Sequence, residues 1–514
     1  MGTGRGATIK GGGGTDGSTR LRRTSLGALA LTGASALRLI LQFALLPLLA
    51  RLVGPAEYGL VALAMPFILL ANVLADGGMG YALGRRREVG PELESTVFWL
   101  TAGIGASLAL ICCAAALPMG AILGQPRLPL LIAALSPILL MNGLTAVSNG
   151  RIIREGRFAV FAAGDLISTG AGAATAVTAA LHGWGAWSLV AQQLVLWTAK
   201  LIWVTWKGHA AIGFHWRLAE ARGLLSFGLS TVGAILADFV SRNLDSLIVG
   251  GVLGVLSLGF YAMAYQIVRV PDMLISGPLY LYIFTAVSRT VGDHKASGDL
   301  AVAALRLGSA LLAPLFCGLA LVADLAVPLV LGAGWTGAVA PLQILPLAGF
   351  FFCLCSIMAT TAMGLGRSKL QLGMSLLLAV TAILVVALSA RLGLPAVCAA
   401  LACGMGAVSI IYVHQLARIL SMSRRRLAGA FLPAAVGVVT LTGAVLGVRG
   451  MLSSAPSLAI FAAAIGAGAL SYLAVIALFR RQLQQDVRAF ARAQGDDGPP
   501  PQPAVLEQAL ASAA

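Results

Sequence analysis

Charged residues are scarce in this chain. Asp, Glu, Lys and Arg make up 11% of its 514 residues, whereas a typical soluble protein has about 25%. Apolar residues make up 59%, so a water-soluble globular fold is excluded. Apolar runs of about 20 residues or more also exclude a transmembrane barrel, whose strands alternate apolar and polar residues. Only helices satisfy their own backbone over such runs in lipid, so the predicted fold class is an all-α polytopic membrane protein.

Several functional patterns are absent. No G-x-x-x-x-G-K-[ST] loop occurs, so ATP hydrolysis by this chain is not expected. The seven cysteines fall inside apolar runs without the spacing of a metal site or a disulfide framework. No cofactor, metal or nucleic-acid partner is therefore expected. No segment between spans is long enough for an extracytoplasmic domain, which disfavours an enzyme with its active site outside the membrane.

The apolar runs predict fourteen spans. Six form a first group, the next six a second, and two more follow. Their predicted ranges are 25–50, 59–84, 95–121, 128–149, 158–181, 184–206, 224–250, 258–286, 302–330, 338–364, 370–390, 394–417, 428–448 and 456–479.

The net charge of +16 is explained by topology, because Lys and Arg collect in cytoplasmic loops. With both termini inside, most of the 35 basic residues fall in segments predicted to be cytoplasmic, including Lys200. Four are predicted outside, and Arg38, Arg242 and Arg269 lie within spans. This pattern predicts a multi-pass membrane protein with both termini in the cytoplasm.

An internal repeat predicts two lobes. LVGPAEYGLVALA at 52–64 matches VLGVLSLGFYAMA at 252–264 in two glycines and two alanines, and six spans separate the two stretches. Parallel repeats of this kind build some transporters around an axis along the membrane normal. The predicted organisation is as follows: a disordered tail at 1–24, an N-lobe at 25–206, a cytoplasmic linker at 207–223, a C-lobe at 224–417, spans 13 and 14 at 428–479, and a largely disordered tail at 480–514 with a short amphipathic helix at 481–493.

Ionisable groups inside spans are costly and usually mark function. Arg38 lies near the middle of the first span, with Gln42 one turn later and no acid nearby in sequence. Because guanidinium groups bind phosphate through a planar fork of donors, Arg38, Arg242 and Arg269 are candidates for binding an anion.

Acids accompany these arginines. Asp238–Arg242 and Arg269–Asp272 have helical spacing, so each pair can also be a simple intrahelical ion pair. Asp165 and Asp324 lie near span ends, where an acidic side chain can simply reach the membrane–water interface. The candidates for lining a polar cavity or for ion coupling are Gln42, Asp76, Asp238, Asn243, Asp245 and Asp272. Trp184, Trp187 and Trp335 fit an aromatic belt near the predicted outside ends.

Four segments resemble bacterial polysaccharide flippases. They are LARLVGPAEYGLVALA at 49–64, DGGMG at 76–80, NLDSLIVG at 243–250 and LGFYAMA at 258–264. The resemblance runs from about residue 25 to 480 and indicates the oligosaccharide flippase family of the multidrug, oligosaccharidyl-lipid and polysaccharide exporter superfamily.

This resemblance implies two six-helix lobes, two extra C-terminal helices and a cationic cavity. It implies movement of an undecaprenyl-diphosphate-linked oligosaccharide from the cytoplasmic to the periplasmic leaflet, for exopolysaccharide, capsule or O-antigen (lipopolysaccharide) assembly. Polysaccharide polymerase and co-polymerase proteins are the implied partners. The alternatives are an ion-coupled multidrug exporter of the same superfamily, a polysaccharide polymerase or ligase, and a structural scaffold for the glycan machinery.

Overall fold

The protein is described from a computed structural model, and every regular element in its described residues is helical. The predicted tail at 1–24 and the chain from 496 onward lie outside those residues. The structure describes residues 33, 37–38, 40–76, 79, 83, 89–209, 213–214 and 218–495, with backbone alone at 73, 76, 218–242, 274–278, 424 and 494–495.

Eleven segments of the described chain are long and apolar enough to cross a membrane, which confirms the polytopic class. Ile40–Val53 is a shorter apolar helix. Ala186–Gly208 has the length of a span but is not one of the eleven, and it carries Lys200 and two adjacent glutamines. The exact number of fourteen spans stays a prediction.

The chain forms two compact units. The first comprises the described residues of Met1–Val53 and Ala64–Ala237, and the second comprises those of Gly54–Leu63 and Asp238–Ala514. The helices of the first unit, to which α2 contributes from Ala64 onward, are α1 (Ile40–Val53), α2 (Pro55–Asp76), α3 (Pro91–Ile122), α4 (Leu128–Leu135), α5 (Pro137–Arg154), α6 (Phe158–Leu181) and α7 (Ala186–Gly208).

A buried acid ties α3 to α5 in the first unit. Glu94 is 3% exposed and its carboxylate lies 2.8 Å from the Arg154 guanidinium and 3.6 Å from that of Arg151. Both arginines lie in a segment that the charge pattern predicts to be cytoplasmic. They also neutralise a carboxylate that would be costly to bury alone.

The helical run Leu218–Ser288 passes from the first unit into the second at Asp238 and is broken at Gly254, where φ is 84°. We call its two arms α8 (218–253) and α9 (255–288). A π-helical turn (Val327–Leu331) and a 3-10 helix (Ala333–Ala338) follow α10. The other helices are α10 (His294–Ala326), α11 (Val339–Gly364), α12 (Ser368–Ser389), α13 (Leu394–Ile419), α14 (Arg424–Gly429), α15 (Leu432–Met451), α16 (Ser457–Leu478) and α17 (Arg480–Gly495).

The two copies of the sequence repeat share their local geometry and contact each other inside the second unit. Gly54 and Gly254 both have positive φ, and a helix follows each of them. A methyl group on Gly59 would lie 1.8 Å from the carbonyl oxygen of Val255, and one on Gly259 would lie 2.0 Å from that of Pro55. The starts of α2 and α9 therefore cross backbone to backbone. We call this contact the glycine crossing.

Candidate functional site

Small residues on α6 allow α7 to approach closely. A methyl group on Gly164 would lie 2.5 Å from the indole ring of Trp203, so only glycine leaves room for this tryptophan. The Trp203 ring nitrogen donates a hydrogen bond to the carbonyl oxygen of Val160 at 3.0 Å. This packing brings the polar residues next to Gly164 and one turn before Trp203 into contact.

Those residues are Asp165 and Lys200. The Lys200 ammonium lies 2.9 Å from the Asp165 carboxylate, and the two side chains are 20% and 22% exposed. The ring centroids of Phe161 and Trp197 lie 5.6 Å from the same ammonium, within the range of a cation–π interaction. An amine and a carboxylate thus stabilise each other on two apolar helices.

Arg38 is the third member. It is helical, just before α1, and its guanidinium lies 3.8 Å from the second carboxylate oxygen of Asp165. Arg38 has no acid nearby in the sequence, and its acidic neighbour comes from α6 instead. Arg38, Asp165 and Lys200, which we call the Asp165 cluster, carry two positive charges and one negative charge.

The geometry leaves Arg38 available to an anion. Its side chain is 44% exposed, and its distance to Asp165 is at the outer limit of an ion pair. The short contact to Lys200 already occupies one carboxylate oxygen. Because a guanidinium offers several donors in a plane, Arg38 can contact a phosphate while Asp165 and Lys200 stay paired.

Lys200 was assigned in the sequence to a positively charged cytoplasmic segment. Its position between Trp197 and Trp203 in an otherwise apolar stretch was the available signal for a role inside the helix bundle.

The second unit holds Asp245 in a different environment. Asp245 is 7% exposed and accepts hydrogen bonds from the Tyr261 hydroxyl at 2.5 Å and from the Ser246 backbone N–H at 2.7 Å. The Tyr261 ring stacks on that of Tyr265 at 5.9 Å. These contacts join α8 to α9 on either side of the break at Gly254, so Asp245 holds this helical hairpin together.

Asp272 and Arg269 lie on α9. The Asp272 carboxylate accepts hydrogen bonds from the Tyr280 hydroxyl at 3.3 Å and from the Cys353 thiol at 3.5 Å. The latter joins α9 to α11. The Arg269 side chain is exposed.

The remaining predicted site residues are only partly described. Gln42 is exposed on α1, and Asn243 is half-buried on α8. The side chains of Asp76, Asp238 and Arg242 lie outside the described residues, so their predicted roles stay predictions.

Two expectations about the span ends need correction. Asp324 forms a two-pronged ion pair with Arg449, which joins α10 to α15, so it is not simply an interfacial acid. Trp335 is 1% exposed and packs edge-on against Tyr58 and Phe260, with centroids 5.7 and 6.2 Å away. It therefore belongs to the core beside the glycine crossing and not to an aromatic belt.

Metal ions have no evident site in the described part of the chain, where no group of three or more His, Cys, Asp or Glu residues is placed to hold one. The chemistry available at the Asp165 cluster is electrostatic binding of an anion.

The curated proteins that are similar to this chain in sequence include two from polysaccharide biosynthesis. The succinoglycan biosynthesis transport protein ExoT of Rhizobium meliloti (strain 1021) is 26% identical over 340 residues, which cover 66% of this chain and 69% of ExoT. The lipopolysaccharide biosynthesis protein WzxC of Escherichia coli (strain K12) is 25% identical over 312 residues, which cover 59% of this chain and 62% of WzxC.

The solved structures that share the fold include a lipid flippase and a multidrug transporter. The lipid II flippase MurJ in an inward closed conformation matches with a TM-score of 0.70 at 14% identity, covering 88% of this chain and 99% of MurJ. An inward-facing multidrug resistance transporter of the MATE family and MOP superfamily matches with a TM-score of 0.58 at 16% identity, covering 74% of this chain and 94% of that transporter.

A family model described as polysaccharide biosynthesis protein matches residues 48–340. The described helices form a multi-span fold like that of the transporters compared above. Because the family model covers more than half of the sequence, this chain belongs to the polysaccharide biosynthesis protein family, as a membrane transporter and not an enzyme.

Proposed function

We propose that this protein is a flippase that moves an undecaprenyl-diphosphate-linked oligosaccharide from the cytoplasmic to the periplasmic leaflet by alternating access. The family, the relatives in succinoglycan and lipopolysaccharide biosynthesis and the MurJ-like fold support this proposal. The product would enter exopolysaccharide, capsule or O-antigen assembly.

The Asp165 cluster is the observation that carries the substrate assignment. It has a net positive charge within the helices of the first unit, and its most exposed member is an arginine. A diphosphate is the part of a lipid-linked sugar that most needs positive charge inside a membrane protein. The lipid tail can remain in the bilayer, but the diphosphate and sugars must pass about 30 Å of hydrocarbon.

The different distances to Asp165 give the two cations separate roles. The short contact with Lys200 keeps Asp165 in place, whereas the 3.8 Å contact with Arg38 can be exchanged for a phosphate oxygen. A diphosphate at Arg38 would then be attracted by Lys200 as well. We assign Arg38 to substrate contact and Lys200 and Asp165 to positioning. Arg242 and Arg269, in the second unit, remain separate candidates for binding an anion.

The distribution of Lys and Arg supports an inner-membrane location with both termini in the cytoplasm. Fusions of a periplasm-active phosphatase after Arg127 and after Arg391 should be active, and fusions after Arg157 and after Arg367 should be inactive. The reverse pattern would contradict the orientation. Polymerase and co-polymerase proteins are the partners that we propose at the periplasmic side.

The function is tested by deleting the gene in the native host. We expect loss of a surface polysaccharide and accumulation of lipid-linked repeat units that stay accessible only from the cytoplasmic face. Normal polysaccharide in a strain without a redundant flippase would contradict the proposal.

Point variants then test the Asp165 cluster. Arg38→Ala is expected to lower glycan export about tenfold or more, since a hydrogen bond to a charged group contributes about 1.5–3 kcal/mol. Arg391→Ala removes another exposed arginine, from a short helical turn in the second unit, and serves as the matched control. Full export by the Arg38 variant, at normal protein level in the membrane, would refute the role of Arg38.

An ion-coupled multidrug exporter is the second candidate, because the MATE fold is shared. A cationic drug would be repelled by the net positive Asp165 cluster, so we expect no uptake of cationic dyes by inverted vesicles that contain the protein. Dye uptake that depends on an ion gradient would favour this candidate instead.

A further inference from the structure

The helix α17 follows the last span directly. The span α16 ends at Leu478 and α17 begins at Arg480, so a single residue, Phe479, separates them. This short connection keeps the start of α17 at the membrane surface where α16 ends. The sequence predicts a short amphipathic helix here, but it does not indicate what either face of the helix contacts.

One face of α17 is packed against the second unit. A guanidinium nitrogen of Arg306 on α10 donates to both carboxylate oxygens of Asp486, each at 2.9 Å, and both side chains are 12% exposed. Phe490 is 1% exposed, and its ring centroid lies 5.4 Å from that of Tyr282 on α9. These contacts fix α17 against α9 and α10.

The opposite face is cationic and exposed. Arg481, Gln485, Arg488 and Arg492 all point to the surface, and their spacings of four, three and four residues place them along one side of the helix. Asp486 is the single acid in α17, and it is used in the contact with Arg306. The exposed arginines are therefore not neutralised from within their own helix.

We propose that Arg481, Arg488 and Arg492, here called the arginine face of α17, bind the anionic phospholipid headgroups of the leaflet at which α16 ends. Three features support a lipid surface as the partner: the start of α17 at the end of a span, the positive charge of the face, and the use of the Phe490 side against the protein. The arginine face is mainly polar, so it matches headgroup phosphates and not the acyl chains. An acidic protein is a different partner class, which the experiment separates.

This binding would make α17 a link between the protein and the leaflet, with one face on each. The Asp486 side holds α9 and α10, and the arginine face holds lipid. This inference does not depend on the substrate of the transporter.

The test uses the purified full-length protein and fluorescently labelled phosphatidylglycerol, with phosphatidylcholine as the neutral probe. The triple variant Arg481→Gln, Arg488→Gln, Arg492→Gln is expected to bind phosphatidylglycerol at least about tenfold more weakly, because each basic residue near an anionic surface contributes to the attraction. Phosphatidylcholine binding should not change.

The matched control removes three other exposed cations of the second unit, in Arg367→Gln, Lys369→Gln, Arg391→Gln. It should keep most of the phosphatidylglycerol affinity. Equal affinities of the two triple variants would overturn the proposal.

Salt supplies a measurement on the unmodified chain, in case the triple variant does not fold. Raising the salt concentration from about 0.05 to about 0.5 M should weaken phosphatidylglycerol binding several-fold, because exposed charges are screened. Hydrogen exchange of α17 should also be slower in phosphatidylglycerol nanodiscs than in phosphatidylcholine nanodiscs. Exchange independent of lipid charge would contradict the proposal. The proposal would also be contradicted if the triple variant lost its binding to poly-glutamate but kept its binding to phosphatidylglycerol. That result would identify an acidic protein as the partner.

Discussion

The glycine crossing should be intolerant of even one methyl group. In Gly59→Ala the new methyl would lie 1.8 Å from the Val255 oxygen, where ordinary contact begins near 3.4 Å. In Gly259→Ala it would lie 2.0 Å from the Pro55 oxygen. Both obstacles are backbone atoms, which cannot rotate away as a side chain can. The two helix starts must therefore separate.

The size of the effect follows from this separation. Overpacking a well-packed core costs about 1–3 kcal/mol, while replacing a helical glycine by alanine gains up to about 1 kcal/mol. Because the obstacle is backbone, the cost lies at the upper end of this range, and each single variant should lose about 2 kcal/mol. Moving the same two backbones apart relieves both clashes, so the double variant should cost clearly less than the two single costs together.

The assay is thermal unfolding of the purified full-length protein in detergent. Gly373→Ala is the matched control, because Gly373 lies inside α12 and a methyl group there meets no atom within 4 Å. It should be as stable as the unmodified protein or slightly more stable. The backbone crossing is refuted if Gly59→Ala behaves like this control. Additive losses in the double variant would show that the two glycines do not share one contact.

Three further predictions concern charge pairs. Asp165→Asn should destabilise the protein by about 1–3 kcal/mol by leaving Lys200 without its acid, and adding Lys200→Met should restore much of the loss in thermal unfolding; no restoration would argue against their direct pairing. A double-mutant cycle between Arg449→Gln and Asp324→Asn should give a coupling of at most about 1 kcal/mol, since both side chains are about one-third exposed, and a coupling of several kcal/mol would contradict this estimate. Burial raises the pKa of Glu155, but hydrogen bonds from Arg151 and Arg157 outweigh it and lower the pKa below its usual value. An acid whose pKa is lowered by folding stabilises the folded state above its unfolded pKa. The stability difference between the unmodified protein and Glu155→Gln should therefore hold from pH 7 to about 5.5 and shrink below about 4.5. A difference that grows on acidification would refute the sign.

The membrane fold could be predicted from the sequence because its signal is local. An apolar run of about 20 residues reports a spanning helix without reference to any other part of the chain. The repeat was equally readable, and it correctly marked Gly54, Gly59, Gly254 and Gly259 as special positions. Each of these positions has a backbone requirement, a positive φ or a close approach, that the residue type itself reveals.

The partners of the charges could not be predicted in the same way. Arg38 was predicted to bind an anion, but its neighbour Asp165 lies on another helix. Lys200 was assigned to a cytoplasmic segment, although it pairs with Asp165. Asp245 was grouped with the cavity residues, yet its carboxylate is closed off by Tyr261 from the next helix. Sequence spacing gives neighbours on one helix, whereas these pairs depend on which helix faces are in contact.

The sequence by itself determined that the chain is a helical membrane protein with an internal repeat and a few costly charges inside its spans. Only the tertiary structure decided that the repeated glycines meet each other, that Asp165 joins Lys200 and Arg38, and that α17 is held by Arg306 while its arginine face stays exposed. The physical reason is the range of the interactions. Helix formation and membrane insertion depend on consecutive residues, but ion pairs and backbone crossings depend on residues brought within 4 Å from distant parts of the chain.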